Sequence, residues 1–93
     1  MAIKSFRHKG LAEFWTKGTS RGIGAELAKR VKRCLQLLAA ATKLNDLRAV
    51  PSLRLHALKG MDPVRWAIDV NGPWRITFEW TDAAENVDLE QYH

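Results

Sequence analysis

A short segment, Arg54-Leu55-His56-Ala57-Leu58-Lys59-Gly60, contains side chains that can carry acid–base and phosphate chemistry. Read as a β-strand, it places His56 on the same face as Arg54, with Lys59 at the exit. An imidazole can give or take a proton near neutrality, and neighbouring cations can hold a phosphate. This combination suits cleavage of RNA, although these seven residues alone fit a plain surface strand with an exposed histidine and lysine better.

Length and composition predict one cytoplasmic domain spanning residues 1–93. The 93 residues are 46% hydrophobic and include four tryptophans, which is enough material for one core. The chain has one cysteine, so it cannot form an internal disulfide, and no apolar run marks a signal peptide or a membrane span. One cysteine and three widely separated histidines give no metal-ligand spacing, and no cofactor is expected.

The net charge of +5 is unevenly distributed along the chain. Residues 1–48 carry eleven Lys and Arg against three acidic residues, whereas residues 49–93 carry four against seven. The first half therefore has a net charge of +8 and the second half one of −3. A cationic surface of this kind favours an anionic partner such as nucleic acid, but it also serves solubility.

Hydrophobic spacing predicts two helices in the first half. Leu11, Phe14 and Trp15 mark one face of a short helix that Gly18 would end. A second, amphipathic helix is predicted from about Ala25 to Ala41. Its apolar stripe consists of Leu27, Val31, Cys34, Leu35 and Leu38. Its other positions include Lys29, Arg30, Lys32 and Arg33, which could follow RNA phosphates or simply form a solvated face.

The second half has the period of β-strands. Residues 65–70 and 74–80 alternate between apolar and polar side chains, which predicts a hairpin. A plain two-residue turn at Asn71-Gly72 would pair Ile68 with Arg75, so we expect either a three-residue connection or a bulge that pairs Ile68 with Ile76. Residues 2–6 could add an edge strand and residues 87–91 a last strand, while residues 42–53 are predicted to be a connection.

These elements predict an α+β fold in which two N-terminal helices pack on one face of a mostly antiparallel sheet of four to five strands. The opposite face would carry Arg75, Thr77 and His56, and it is the candidate site. Its possible members supply imidazoles, fixed cations and an aromatic hydroxyl: His56, Lys59, Arg75, Tyr92 and His93.

Four segments, in this order and spacing, resemble the HigB-type, or host-killer, toxins of the RelE/ParE superfamily. They are residues 3–11, the segment from Arg54 to Gly60, residues 70–78 and the terminal Tyr92-His93. The resemblance spans the whole chain and implies a RelE-like sheet covered by helices. It implies a toxin of a type II toxin–antitoxin system that cuts messenger RNA on the translating ribosome without a metal ion.

The resemblance also implies partners and a functional set of residues. The partners would be a HigA-type helix-turn-helix antitoxin, the ribosome and messenger RNA, with DNA reached only through the antitoxin and no membrane involved. The catalytic set would be His56, Arg75, Tyr92 and His93. Lys59 would bind phosphate. Apart from the resemblance, the residues themselves predict that Arg54 also binds phosphate and that the four cations of the second helix form a secondary basic surface.

Two positions depart from the family pattern. Gln91 stands where many relatives have an acidic residue, and an amide can form hydrogen bonds but cannot accept a proton at neutral pH. Pro73 replaces a more usual polar residue. Two other functions remain open: a non-catalytic ParE-like toxin that inhibits a protein such as DNA gyrase, and a basic RNA-binding module.

Overall fold

Three α-helices precede a four-stranded antiparallel sheet, which is the predicted α+β class. The structure, a computed structural model, describes residues 3–91. The helices are α1 Lys9–Lys17, α2 Ala25–Ala40 and α3 Leu44–Arg48. The strands are β1 His56–Leu58, β2 Arg65–Asn71, β3 Trp74–Trp80 and β4 Ala84–Gln91. None of the helices within these residues is long and apolar enough to cross a membrane.

The two longer helices begin and end close to the predicted positions. The Nδ1 atom of His8 accepts a hydrogen bond from the backbone N–H of Leu11 at 3.1 Å, which caps the first turn of α1. Gly18 ends α1 in a left-handed conformation with φ of 77°, which glycine adopts without steric cost. The whole predicted stripe of α2 is buried, namely Leu27, Val31, Cys34, Leu35 and Leu38.

The strands follow one another in the order β1-β2-β3-β4, and all neighbouring pairs are antiparallel. Ile68 lies directly opposite Ile76, as predicted. A bulge between Asp69 and Asn71 allows Asn71 to pair with Trp74 across a two-residue turn. Of the two arrangements compatible with the sequence pattern, the chain therefore uses the bulge, which keeps the apolar side chains of both strands on one face.

The core lies between the helices and the apolar face of the sheet. α2 packs against β2, and α1 contacts β4. The helices contribute Leu11, Val31, Leu35 and Leu38, and the sheet contributes Ile68, Ile76, Phe78 and Val87, all of them fully buried. This packing leaves the other face of the sheet for polar residues.

Within the described residues, the edge strand predicted at residues 2–6 is only partly formed: the segment lies beside β4 and forms backbone hydrogen bonds with it, but it is not a regular strand. Ile3 and Phe6 form only isolated parallel bridges, to Ala84 and Val87. Between these bridges Asn86 has a φ of 50°, in the left-handed region. That conformation interrupts the regular edge of β4, so a continuous ladder cannot form beside it. β4 itself begins at Ala84, earlier than the predicted residue 87.

The predicted connection over residues 42–53 contains α3 and a 3₁₀ turn, Pro51–Leu53. The Asp46 carboxylate accepts hydrogen bonds from the backbone N–H of Thr42 at 2.9 Å, from its hydroxyl at 3.0 Å and from the backbone N–H of Lys43 at 3.3 Å. These bonds, that from the Thr42 backbone first, hold the pKa of Asp46 below its ordinary value. The described residues thus contain three helices where the sequence predicted two. The third was missed because a five-residue helix is too short to show a clear period.

Gly10 in α1 packs directly against Gly22 in the loop before α2. A Cβ atom added to Gly10 would lie 2.8 Å from the carbonyl oxygen of Gly22. We expect Gly10→Ala to lower the free energy of unfolding by about 1–3 kcal/mol, because the clash outweighs the better helix propensity of alanine. Urea denaturation measures the change. Lys9→Ala, at the exposed neighbouring position, is the control, and a Gly10→Ala protein as stable as this control would contradict the close packing.

Candidate active site

His56 is the first residue of β1, and it is partly buried on the polar face of the sheet. Its Nδ1 atom lies 2.8 Å from the backbone carbonyl oxygen of Arg54. A carbonyl oxygen can only accept, so Nδ1 carries the hydrogen and donates it. In the neutral ring the lone pair is therefore on Nε2, the atom that points away from this contact. The backbone thus fixes a tautomer whose Nε2 can accept a proton.

Arg54 is not a strand residue, contrary to the prediction. It follows the 3₁₀ turn with φ of 51° and ψ of 49°, a left-handed conformation that is incompatible with a β-strand. Its side chain nevertheless reaches the polar face, because its Nε atom lies 3.5 Å from a carboxylate oxygen of Asp69. Together with Leu55 and His56, these two residues line an open groove of about 530 Å³. We call it the imidazole groove. Lys59 lies exposed just after β1.

Arg75 on β3 shares the polar face with His56. The register pairs His56 with Ala67 and Ala67 with Thr77, so Arg75 lies one step along the same face of β3. Two strand spacings and two residues separate the Cα atoms of His56 and Arg75 by roughly 12 Å. Ala67 and Asp69 of β2, which lie opposite His56 and Arg75, separate the two residues. The His56 imidazole and the Arg75 guanidinium therefore lie on opposite sides of one area of the polar face, and they do not occupy the same position.

Acidic residues lie on both sides of Arg75. The register places Asp69 of β2 and Glu90 of β4 directly opposite it. Gln91, the departure from the family pattern, pairs with Trp74 and belongs to the other face. The carboxylate that β4 presents beside Arg75 is thus that of Glu90, which sequence reasoning did not single out.

A buried polar network lies next to these residues, and no pattern in the sequence indicates it. Arg65 is only 3% exposed. Its guanidinium donates to the Glu79 carboxylate at 3.0 Å, to the Thr77 hydroxyl at 3.1 Å and to the backbone carbonyl of Asn86 at 2.8 Å. The Thr77 hydroxyl in turn donates to the carboxylate of Glu90. Arg65 and Thr77 are therefore buried, and Thr77, contrary to the prediction, is not part of an exposed surface.

The four cations of α2 are all exposed, but they lie on two sides of the helix. Lys29, Arg30 and Arg33 line a groove between α2 and β2. Lys32 lines a different depression, beside Phe14 and Trp15 of α1. The predicted secondary basic surface is therefore two surfaces. The one with three cations adjoins the imidazole groove.

Cys34 of α2 is buried, as predicted from its place in the apolar stripe. Burial raises the pKa of its thiol, and the S–H group points to the backbone carbonyl of Asp69, with the sulfur 3.7 Å from the oxygen. The thiol thus stays protonated and ties α2 to β2. Two other predicted site residues, Tyr92 and His93, lie outside the described residues.

The fold agrees with the comparisons with known proteins. Residues 4–93 match the model of the family described as the RelE-like toxin of the type II toxin–antitoxin system HigB, and the chain belongs to this family. It is also 38% identical over 92 residues to Endoribonuclease HigB of Proteus vulgaris. That alignment covers 98% of this chain and 99% of the Proteus protein.

Proposed function

We propose that this toxin is an endoribonuclease that cuts messenger RNA on the translating ribosome without the help of a metal ion. Family membership and the name of the Proteus relative support the nuclease activity. The observation that carries the proposal is the geometry of His56, whose Nδ1–H donates to a backbone carbonyl and whose Nε2 is left to accept a proton. Arg54 and Arg75, on the same face, supply positive charge for a phosphate.

The reaction is an internal transesterification. The ribose 2′-OH loses its proton and attacks the adjacent phosphorus, the bond from phosphorus to the 5′-oxygen breaks, and that oxygen takes up a proton. The products are a 2′,3′-cyclic phosphate and a 5′-hydroxyl. Of His56 and His93, one removes the first proton and the other supplies the second, each with a contribution of about 10²- to 10⁴-fold. The nucleophile comes from the RNA, so no metal-bound water is needed.

Other side chains of the proposed site act on charge and orientation. Arg75, Lys59 and Arg54 stabilise the extra negative charge that the phosphate gains in the transition state. Tyr92 orients a base by stacking. In the cell, the toxin would act in the cytoplasm, where translating ribosomes are, and a HigA-type helix-turn-helix antitoxin would silence it. Any binding to DNA would occur indirectly, through the antitoxin.

Mapping messenger RNA ends in a reconstituted translation reaction tests this function. We expect new ends within the translated reading frame, and far fewer when the same RNA is incubated without ribosomes. The upstream fragments should carry 2′,3′-cyclic phosphates, and a 2′-deoxynucleotide at the cut position should abolish cleavage there. These chemical readouts are independent of the magnesium that ribosomes require.

The outcomes separate the rival functions. Upstream fragments that end in a 3′-hydroxyl would overturn the transesterification. Intact RNA together with inhibition of DNA supercoiling by gyrase would identify a non-catalytic ParE-like toxin. Intact RNA that stays bound to the protein would identify an RNA-binding module.

A further inference from the structure

The groove between α2 and β2 combines a cationic rim with an apolar floor. We call it the helix groove. Its volume is about 430 Å³. The rim consists of the exposed Lys29, Arg30, Arg33 and Ser52, and the floor of the buried Cys34, Leu53 and Val70, with Asp69 at one end. Cations suit a phosphate, and an apolar floor suits the face of a base, so the groove fits a nucleotide better than an isolated anion.

The helix groove is continuous with the imidazole groove. β1 pairs with β2 only as far as Ala67, so Asp69 and Val70 lie beyond the end of β1 at the edge of the sheet. The 3₁₀ turn contacts β2, and Ser52 and Leu53 line the helix groove. The next three residues, 54–56, line the imidazole groove, and Asp69 lines both. One strand of RNA can therefore pass around the edge of the sheet from one groove into the other.

Asp69 sets where phosphates can bind along this path. Its carboxylate lies 3.5 Å from the Arg54 guanidinium, at the boundary between the two grooves. A phosphate at that boundary would meet a negative charge, whereas the positions on either side face Arg54 or the rim of α2. The charge pattern thus favours two phosphates that are separated by Asp69.

We propose that the helix groove is a second nucleotide-binding subsite, which holds a nucleotide of the messenger RNA next to the one whose phosphate is cleaved at His56. The proposal rests on the proposed function, since it extends the same substrate path. The rim cations hold the flanking phosphate, and the floor receives its base. The subsite fixes how the RNA enters the imidazole groove.

Binding of short single-stranded oligonucleotides that lack the 2′-hydroxyl tests the subsite across a salt series without requiring cleavage. The probes are a fluorescent hexanucleotide and a dinucleotide, both with 2′-deoxyribose throughout to prevent cutting. Replacing Lys29, Arg30 and Arg33 together with glutamine should weaken hexanucleotide binding. It should also flatten the log–log salt slope by about 0.7, the change expected for the loss of one flanking phosphate contact. Binding of the dinucleotide, whose single internucleotide phosphate occupies the imidazole groove and leaves no flanking phosphate for the rim cations, should stay within about twofold.

Lys32→Gln is the matched control, because it removes one charge from the same helix outside the groove. Its salt slope should remain that of the wild type. If single replacements of Lys32 and Arg33 have equal effects, the helix acts only through its overall field, and the subsite is refuted. An abasic position in the hexanucleotide should weaken wild-type binding by about three- to tenfold at one position only. If an abasic site weakened binding equally at every position of the hexanucleotide, the floor of the helix groove would not bind a base.

Ribosomal RNA is the competing occupant of this groove. If the triple variant binds the hexanucleotide normally but binds ribosomes without messenger RNA more weakly, the groove contacts the ribosome and the proposal fails. Failure of the proposed function has a different signature. In that case the wild-type chain would leave translated messenger RNA intact, whatever the binding measurements show.

Discussion

Replacing His56 with asparagine should slow cleavage of messenger RNA by about 10²- to 10⁴-fold and leave the protein folded. The asparagine amide nitrogen takes the position of Nδ1, so it can still donate to the Arg54 carbonyl that now accepts at 2.8 Å. What it lacks is an atom that can exchange a proton at the position of Nε2. Single-turnover cleavage on programmed ribosomes measures the loss, and growth inhibition in the cell should fall with it.

His56→Gln is the matched control for this substitution. Its longer side chain places an amide near Nε2 but gives up the donor at Nδ1, so it should be equally inactive. The asparagine protein should also keep the wild-type melting temperature more closely. A His56→Asn toxin that cleaves within a few-fold of the wild type would show that His56 does not move a proton. The acid and base would then have to be sought elsewhere, His93 first among them.

Removing the buried Arg65 guanidinium should produce the largest loss of stability. We expect Arg65→Ala to lower the free energy of unfolding by about 3–5 kcal/mol, because it removes a buried guanidinium that donates to both the Glu79 carboxylate and the Thr77 hydroxyl. Glu79 would keep the weaker, neutral donor that the Asn86 side-chain amide supplies at 3.1 Å. For a chain of this size, about 1 kcal/mol corresponds to roughly 4–8 °C in melting temperature. Thermal unfolding followed by circular dichroism should therefore show a fall of more than about 10 °C.

The chain offers a close control in Arg7, which approaches the same Glu79 carboxylate at 3.8 Å but has a side chain that is 53% exposed. Arg7→Ala should cost less than about 1 kcal/mol, because water screens and replaces an exposed ion pair. Combining Arg65→Met with Glu79→Gln should recover part of the loss, since no uncompensated charge then remains buried. If Arg7→Ala and Arg65→Ala lowered the free energy of unfolding equally, burial would not determine how much an arginine paired with Glu79 stabilises the fold.

Elements with a long apolar period could be predicted from the sequence. The five stripe positions of α2 are all buried, because only one face of a 16-residue helix can meet the sheet. The pairing of Ile68 with Ile76 also followed from the pattern, since a register shifted by one residue would expose one apolar set. In both cases the hydrophobic effect alone selects the arrangement.

Features set by a few polar contacts could not be predicted in this way. Alternation assigned Arg65 to the polar face correctly, but its burial depends on Glu79, Thr77 and Asn86, which come together only in the folded sheet. The left-handed turn at Arg54 was missed because arginine has no preference for that conformation.

The placement of two candidate residues was predictable, but the connections of the site were not. His56 and Arg75 lie on one face as expected, because the period of a strand determines it. The continuity of the two grooves through Asp69 depends on where β1 ends, and a three-residue strand leaves little trace in a sequence. The different surroundings of Lys32 and Arg33 likewise depend on how α1 packs beside α2.

The short β1 also protects the protein from self-association. An exposed sheet edge can pair with a second chain, and natural proteins prevent this with very short edge strands flanked by charge. β1 has three residues, and the cations Arg54 and Lys59 lie on either side of it. The positive charges proposed to hold the phosphate of the substrate therefore also keep this edge from pairing with another copy. Replacing both Arg54 and Lys59 with apolar residues should therefore lower toxicity and increase aggregation.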